Sequence, residues 1–203
     1  MESLAISVLS IYGALASLVG LVFELRPAGK PATPIEITLG VIAALLTVWW
    51  TYLAVRQHLR DRPVVCKTDN QILRFMHRWI GREGRVVIFT RDMSWAHSAD
   101  IEALLFQKSS KNELTIILER STDLAEKLAS SGARIISYNR LGYTPASRFT
   151  IVKHGHHDAE VAVGGRIGGQ HVINIFQQGH HALFAVANDL ANMITAYNEL
   201  QNP

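Results

Sequence analysis

The chain has 203 residues, 48% of them apolar, and carries 20 Lys and Arg against 17 Asp and Glu, a net charge of +3 with histidine neutral. So mild an excess does not by itself imply nucleic-acid binding, and a single cysteine, Cys66, excludes an internal disulfide framework. The apolar residues are unevenly spread: two long runs precede Arg56, and the roughly 140 residues behind them have the composition of one globular domain.

The first run, residues 4–23 (LAISVLSIYGALASLVGLVF), holds no charge. As a helix it reaches about 30 Å, the thickness of a bilayer's hydrocarbon. A signal peptide is the competing reading, but that would have a basic start and a shorter apolar core. Here the start is Met1-Glu2. Residues 24–36 follow, broken by Pro27, Gly29, Pro31 and Pro34. The second run, residues 37–55 (ITLGVIAALLTVWWTYLAV), gathers Trp49, Trp50 and Tyr52 toward its end, as an aromatic belt does. Arg56, Arg60, Arg62 and Lys67 come next, against Arg26 and Lys30 in the connecting loop. The expectation is a two-helix transmembrane hairpin over residues 1–60, in a bacterial inner membrane, with both termini cytoplasmic and residues 61–203 forming a cytosolic domain. Gly13, Ser17 and Gly20, with Gly40 and Ala44, give the two runs small-residue faces suited to close helix packing or self-assembly. Neither run has an ionisable residue, which disfavours a transporter. Cys66 reads as a small apolar residue, with palmitoylation as the alternative.

Thr68 and Gln71 form a capping box before a helix that carries Ile72, Phe75, Met76 and Trp79, stopped by Gly81 and Gly84. Arg85–Thr90 (RVVIFT) is a buried strand, and Arg91–Trp95 is the loop at its carboxyl end. Ser98 caps a helix with Ile101, Leu104 and Leu105; Glu113–Leu118 is a strand. Ser121 caps a helix with Leu124 and Leu128 that Gly132 stops, and Ala133–Tyr138 is a third strand. Ser147–Gly165 (SRFTIVKHGHHDAEVAVGG) is a hairpin closed by Gly164-Gly165. Gln170–Phe176 is one more extended segment. The last helix covers about His181–Leu200, with Leu183, Val186, Leu190, Met193, Ile194 and Tyr197 on its core face.

The hairpin resembles the active-site hairpin of the phospholipase D superfamily. There a His-x-Lys pair precedes an apolar strand, an Asp follows, and a second strand ends in Gly-Gly or Gly-Ser. The strand match is Arg148-Phe149-Thr150-Ile151-Val152-Lys153. The family's histidine falls on Ala146, its lysine on Arg148 and its aspartate on Lys153, so all three chemical positions are changed. Phosphodiester transfer in that family needs an imidazole nucleophile, and Ala146 has no nucleophilic atom. The element order is also that of one phospholipase D half-domain, over about Thr68–Leu200. The resemblance implies a single, catalytically silent half-domain that binds rather than cleaves, needs no cofactor, and works as a homo-oligomer.

Several clusters admit two readings. His154, His156, His157 and Asp158 could ligate zinc or be an exposed polar turn. Gly179 with His180 and His181 could receive an anion at a helix start or merely begin the helix. Arg148 and Arg166 with Gly164 and Gly165 could cradle a phosphate, or the glycines could simply make a turn. Arg91 and Trp95 face the same cleft, where Trp95 could stack a base or pack as core. Two spans on a small binding domain resemble the two-transmembrane effectors of bacterial retron-type antiphage systems. That likeness implies a membrane-disrupting effector held quiet by a reverse transcriptase–RNA/DNA complex or another regulator. A membrane-anchored phosphodiesterase or nuclease of the phospholipase D type is the alternative.

Overall fold

The computed structural model describes Gly13, Ser17, Gly20 and residues 33–60 and 63–201. The chain divides into two compact units, Met1–Arg62 and Pro63–Pro203.

In the first unit, helix α1 covers Pro34–Arg60. Pro34 suits a first helical turn, where its missing N–H is no loss. Thr38 and Thr47 return their hydroxyls to Pro34 O and Ala43 O, at 2.8 and 2.7 Å. Between Ile37 and Val55 the aliphatic residues are interspersed with Thr38, Thr47, Thr51, Trp49, Trp50 and Tyr52. Among the described residues no helix is long and apolar enough to cross a membrane. That finding overturns the expected membrane-anchored fold with its two-helix transmembrane hairpin, and the multi-pass inner-membrane placement that rested on it. The first expected span contributes Gly13, Ser17 and Gly20 to the described residues; its other positions, the loop through Pro31, and Arg62 lie outside them. A Cβ on Gly13, Gly20 or Gly40 would meet nothing within 4 Å among the described residues, and Ser17 and Ala44 are exposed.

The second unit is an α/β fold with a seven-stranded mixed sheet. Its elements run β1 (Val64–Cys66), α2 (Asp69–Ile80), β2 (Val86–Phe89), α3 (Ala99–Ser110), β3 (Leu114–Leu118), α4 (Asp123–Ser130), β4 (Arg134–Ser137), β5 (Phe149–Val152), β6 (Glu160–Ile167), β7 (Gln170–Gln177) and α5 (Ala182–Gln201). The spatial order is β1-β7-β6-β5-β2-β3-β4. β2, β3 and β4 are parallel, joined by helical crossovers, and β5 returns antiparallel on the other side of β2. β6, β7 and β1 continue antiparallel. The chain therefore reverses its direction of travel across the sheet between β2 and β5.

Alternation along the strands makes two cores. Val86, Ile88, Leu114, Ile116, Leu118, Val152 and Ile173 face α2, α3 and α4, which contribute Trp79, Ile101, Leu105 and Leu128. Val87, Phe89, Ile117, Ile136, Ile151 and Val161 face α5. Covered on both sides, β2 and β5 have every residue buried, which is why they read as unbroken apolar runs. Phe89 stacks between Tyr138 and Phe149, at centroid distances of 5.5 and 4.8 Å.

Local expectations are corrected at four places. β1 falls where no strand was expected, and Cys66 is buried in it, against the sheet core. The capping box at α2 is not made: the Thr68 side chain caps nothing, and Gln71 Oε1 accepts from Lys67 N, one residue before the cap, at 2.7 Å. Thr122, one residue past Ser121, caps α4 by accepting from Ala125 N at 3.2 Å. α5 buries Phe184, Ala187, Ala191 and Ile194, and leaves Leu183, Val186 and Met193 exposed. Of the face expected to be core, Ile194 alone is fully buried.

Candidate functional site

The reversal of strand order between β2 and β5 leaves a crevice at the carboxyl end of β2, the usual ligand position in open α/β sheets. A cavity of about 670 Å³ occupies it. Its wall includes Asp69 and Met76 of α2, Thr90, Asp92, Ser94 and Trp95 after β2, Ala146 and Arg148 before β5, Gly164, Gly165 and Arg166 of β6, and His171 of β7.

Strand register explains the convergence. Thr150 pairs with Ala162, and Gly164 N donates to Arg148 O, so Arg148 extends β5 opposite Gly164. Arg166 pairs with His171, which in turn pairs with Cys66 of β1. Period-two alternation then puts Arg148, Gly164, Arg166 and His171 on one face of the sheet. The Gly-Gly pair does not close the second strand, as the sequence suggested: β6 runs through it to Ile167. What the glycine supplies is room. A Cβ on Gly164 would lie 3.0 Å from His171 Nε2 and 3.6 Å from its Cε1, so the bare backbone is where the imidazole fits.

Among the described residues, neither Arg148 nor Arg166 has a carboxylate within 4.0 Å, and both are exposed at the cavity rim. Asp92 is already engaged. It accepts from Ser94 Oγ at 2.6 Å and Ser94 N at 3.1 Å, and pairs with Arg91 Nε at 3.5 Å. Ser94's hydrogen bonds, with help from Arg91, hold the Asp92 carboxyl below its ordinary value. His171 is half-buried. Burial first, then the Arg166 and Arg148 guanidiniums, keep its imidazole below the ordinary 6.5, against the pull of Asp69. At neutral pH it is an uncharged ring carrying one donor and one acceptor nitrogen. The strongest anion donors in the cavity are thus these two guanidiniums, with Trp95 as an apolar wall.

Of the binding residues expected from sequence, Arg148, Arg166, Gly164, Gly165 and Trp95 line this cavity. Arg91 does not; it sits outside as the partner of Asp92. The three positions that correspond to the phospholipase D motif separate. Ala146 and Arg148 are at the cavity, whereas Lys153 lies beyond the other end of β5, about 16 Å of extended chain away. There it adopts a left-handed φ of 53° and pairs with Asp158, whose carboxyl that contact holds below its ordinary value. His154 shares that end and bonds Asn188 Oδ1 at 3.2 Å. No group of three His, Cys, Asp or Glu suited to a metal occurs among the described residues. At the start of α5, His181 Nδ1 accepts from Leu183 N at 3.1 Å, so the imidazole already satisfies a helix-start amide. His171, which sequence reading passed over, is the one imidazole in the cavity wall.

A larger hollow of about 920 Å³ runs along β1, α2 and the start of α3. It holds none of the residues singled out from sequence as binding. Its only thiol, Cys66, is buried, and burial pushes its pKa up, which keeps it protonated and unreactive.

Comparison with protein families, with curated proteins and with solved structures found no match.

Proposed function

We propose that the sheet unit is a binding module for a phosphate-bearing, single-stranded polyanion, gripped at the carboxyl end of β2 and not processed there. One observation carries this reading: two guanidiniums without carboxylate partners among the described residues, Arg148 and Arg166, flank a cavity walled by Trp95, where the neutral His171 imidazole lies over Gly164. Arg148 and Arg166 take phosphate oxygens as charge-assisted hydrogen bonds. Trp95 offers a ring to stack an unpaired base. Ala146, at the place where the phospholipase D-like motif puts its histidine, has no atom to attack phosphorus. A reverse transcriptase with its RNA–DNA product, or another regulator carrying nucleic acid, presents such a ligand. The wider reading as a defence-system effector rested on two membrane spans, and the cleft does not bear on it.

A second reading, a phosphodiesterase, is favoured by one residue. His171 brings a neutral imidazole to the cavity from β7, and such a ring can act as nucleophile or base.

The test is titration of a labelled oligonucleotide with the full chain, at about 50 and 200 mM salt. Arg148→Glu or Arg166→Glu is expected to weaken binding about ten-fold or more and to lower the salt slope by about one for each phosphate no longer neutralised. Binding unchanged by both substitutions would remove the cleft from the account. Cleavage of the oligonucleotide that His171→Ala abolishes would replace binding by catalysis.

A further inference from the structure

The last helix has two apolar faces; the fold buries one fully and of the other packs Leu190 against the same core. Phe184, Ala187, Ala191 and Ile194 are buried against the sheet. About 100° around the helix runs a second stripe: Leu183, Val186, Leu190, Met193, Tyr197 and Leu200. Its spacing alternates three and four residues, the a/d pattern of a helix made to pack against another helix. Leu183, Val186, Met193 and Leu200 are 44, 60, 69 and 80% exposed, while Leu190 and Tyr197 are half-buried.

The inner face combines the bulky Phe184 and Ile194 with the small Ala187 and Ala191, while the outer stripe is made of medium and large apolar side chains throughout. The outer stripe contains no charge. Arg134 pairs with Glu199 and Asn198 Nδ2 donates to Ser137 O at 2.9 Å, so the C-terminal turn is fixed on β4 while Leu200 stays outward. Scattered exposed leucines need no explanation, but a continuous apolar stripe along twenty residues of helix marks an interaction surface.

We propose that this stripe is the interface between two copies of the chain, paired helix to helix through α5. With these side chains as exposed as they are, the stripe offers on the order of 600 Å² per copy, and two copies bury about 1,200 Å² together, the lower bound for a specific dimer. The surface is self-complementary: a partner with the same three-four spacing is needed, and a second α5 supplies it. An isologous pair also closes, so the assembly ends at two copies.

The test is the mass of the full chain by sedimentation velocity over a range of micromolar concentrations. The native chain is expected to sediment as a dimer. Val186→Glu and Met193→Glu each place a charge in the seam and are expected to raise the dimer dissociation constant at least about ten-fold, with unchanged circular dichroism because both positions are exposed. Asn192→Glu, exposed on the same helix but off the stripe, is expected to leave the dimer intact. A native chain that is monomeric throughout would overturn the proposal. So would a dimer indifferent to both stripe substitutions, one that Asn192→Glu disrupts as strongly, or a stripe that pairs solely with a different protein.

Discussion

Lys108 is buried to 6% exposure near the end of α3, and its ammonium donates to Arg82 O at 2.7 Å, Gly84 O at 2.8 Å and Glu113 Oε2 at 2.9 Å. One side chain thus ties the end of α3 to the loop before β2 and to the residue that leads into β3. Lys108→Met keeps the aliphatic stem and removes the charge. Three charge-assisted bonds are lost, each contributing about 1.5–3 kcal/mol. Against that, the ammonium no longer has to be desolvated, a penalty of several kcal/mol. The Glu113 side chain is 29% exposed and recovers water, which trims the loss further. The net expectation is a destabilisation of about 3 kcal/mol, a large share of the roughly 5–15 kcal/mol typical of a folded domain. In a unit of this size it lowers the melting temperature by about 6–12 °C. The assay is urea unfolding followed by circular dichroism, with Glu113→Gln and the double variant completing a cycle. The double variant is expected to be less destabilised than the two singles added together, by about 1 kcal/mol. A Lys108→Met chain as stable as the native one would refute the reasoning, because the three bonds would then only balance the cost of burying the charge.

Two further expectations follow from single groups. Gly132 has a left-handed φ of 106°, and a Cβ there would lie 2.6 Å from Ser109 O and 2.8 Å from Asn112 Oδ1; Gly132→Ala is expected to cost about 3 kcal/mol in urea unfolding, and a loss under about 0.5 kcal/mol would contradict the placement of the α4–β4 turn against α3. His171 binds its proton less readily folded than unfolded, so the unfolded chain holds more protons between the depressed folded value and 6.5; stability contributed by the neutral ring is full above 6.5 and falls as pH drops through that window. Replacing it by Gln should flatten this part of the stability-versus-pH curve, and an unchanged slope would show that the ring is not desolvated by the cavity.

The sheet was legible where burial is two-sided. Val86–Phe89, Leu114–Leu118 and Phe149–Val152 are apolar almost throughout because helices cover both faces, and such runs stand out in any sequence. β1 was not legible: three residues long, it is specified by pairing with β7 rather than by a pattern of its own. The face of α5 was misread for a related reason. Hydrophobicity ranks Leu, Val and Met above Ala, yet close packing of a helix on a sheet favours small residues, so Ala187 and Ala191 are inside and Val186 and Met193 outside. The expected membrane hairpin rests on two long uncharged apolar runs, an aromatic cluster and the basic residues that follow it; among the described residues no helix is long and apolar enough to cross a membrane.

The cavity shows where a motif carries information and where only register does. Arg148, Gly164 and Arg166 could be grouped from sequence because one hairpin holds them. His171 lies on the next strand, in QHVINIF, and its signal was the alternation it shares with Ile173 and Ile175 on one side against Val172, Asn174 and Phe176 on the other. Reading that alternation places His171 beside the buried Ile173, hence on the sheet face of the cavity, but the partner position stays open until the β6–β7 register is known. That register sets Gly164 against Ile173 and Arg166 against His171. A slip of one residue would turn the imidazole to the opposite face of the sheet. The room made by Gly164 and the reach of His171 are therefore one feature written on two strands: any side chain at Gly164 would press on the ring, and with the ring gone the floor between Arg148 and Arg166 would widen. The cleft's chemistry depends as much on that missing Cβ as on the two guanidiniums beside it.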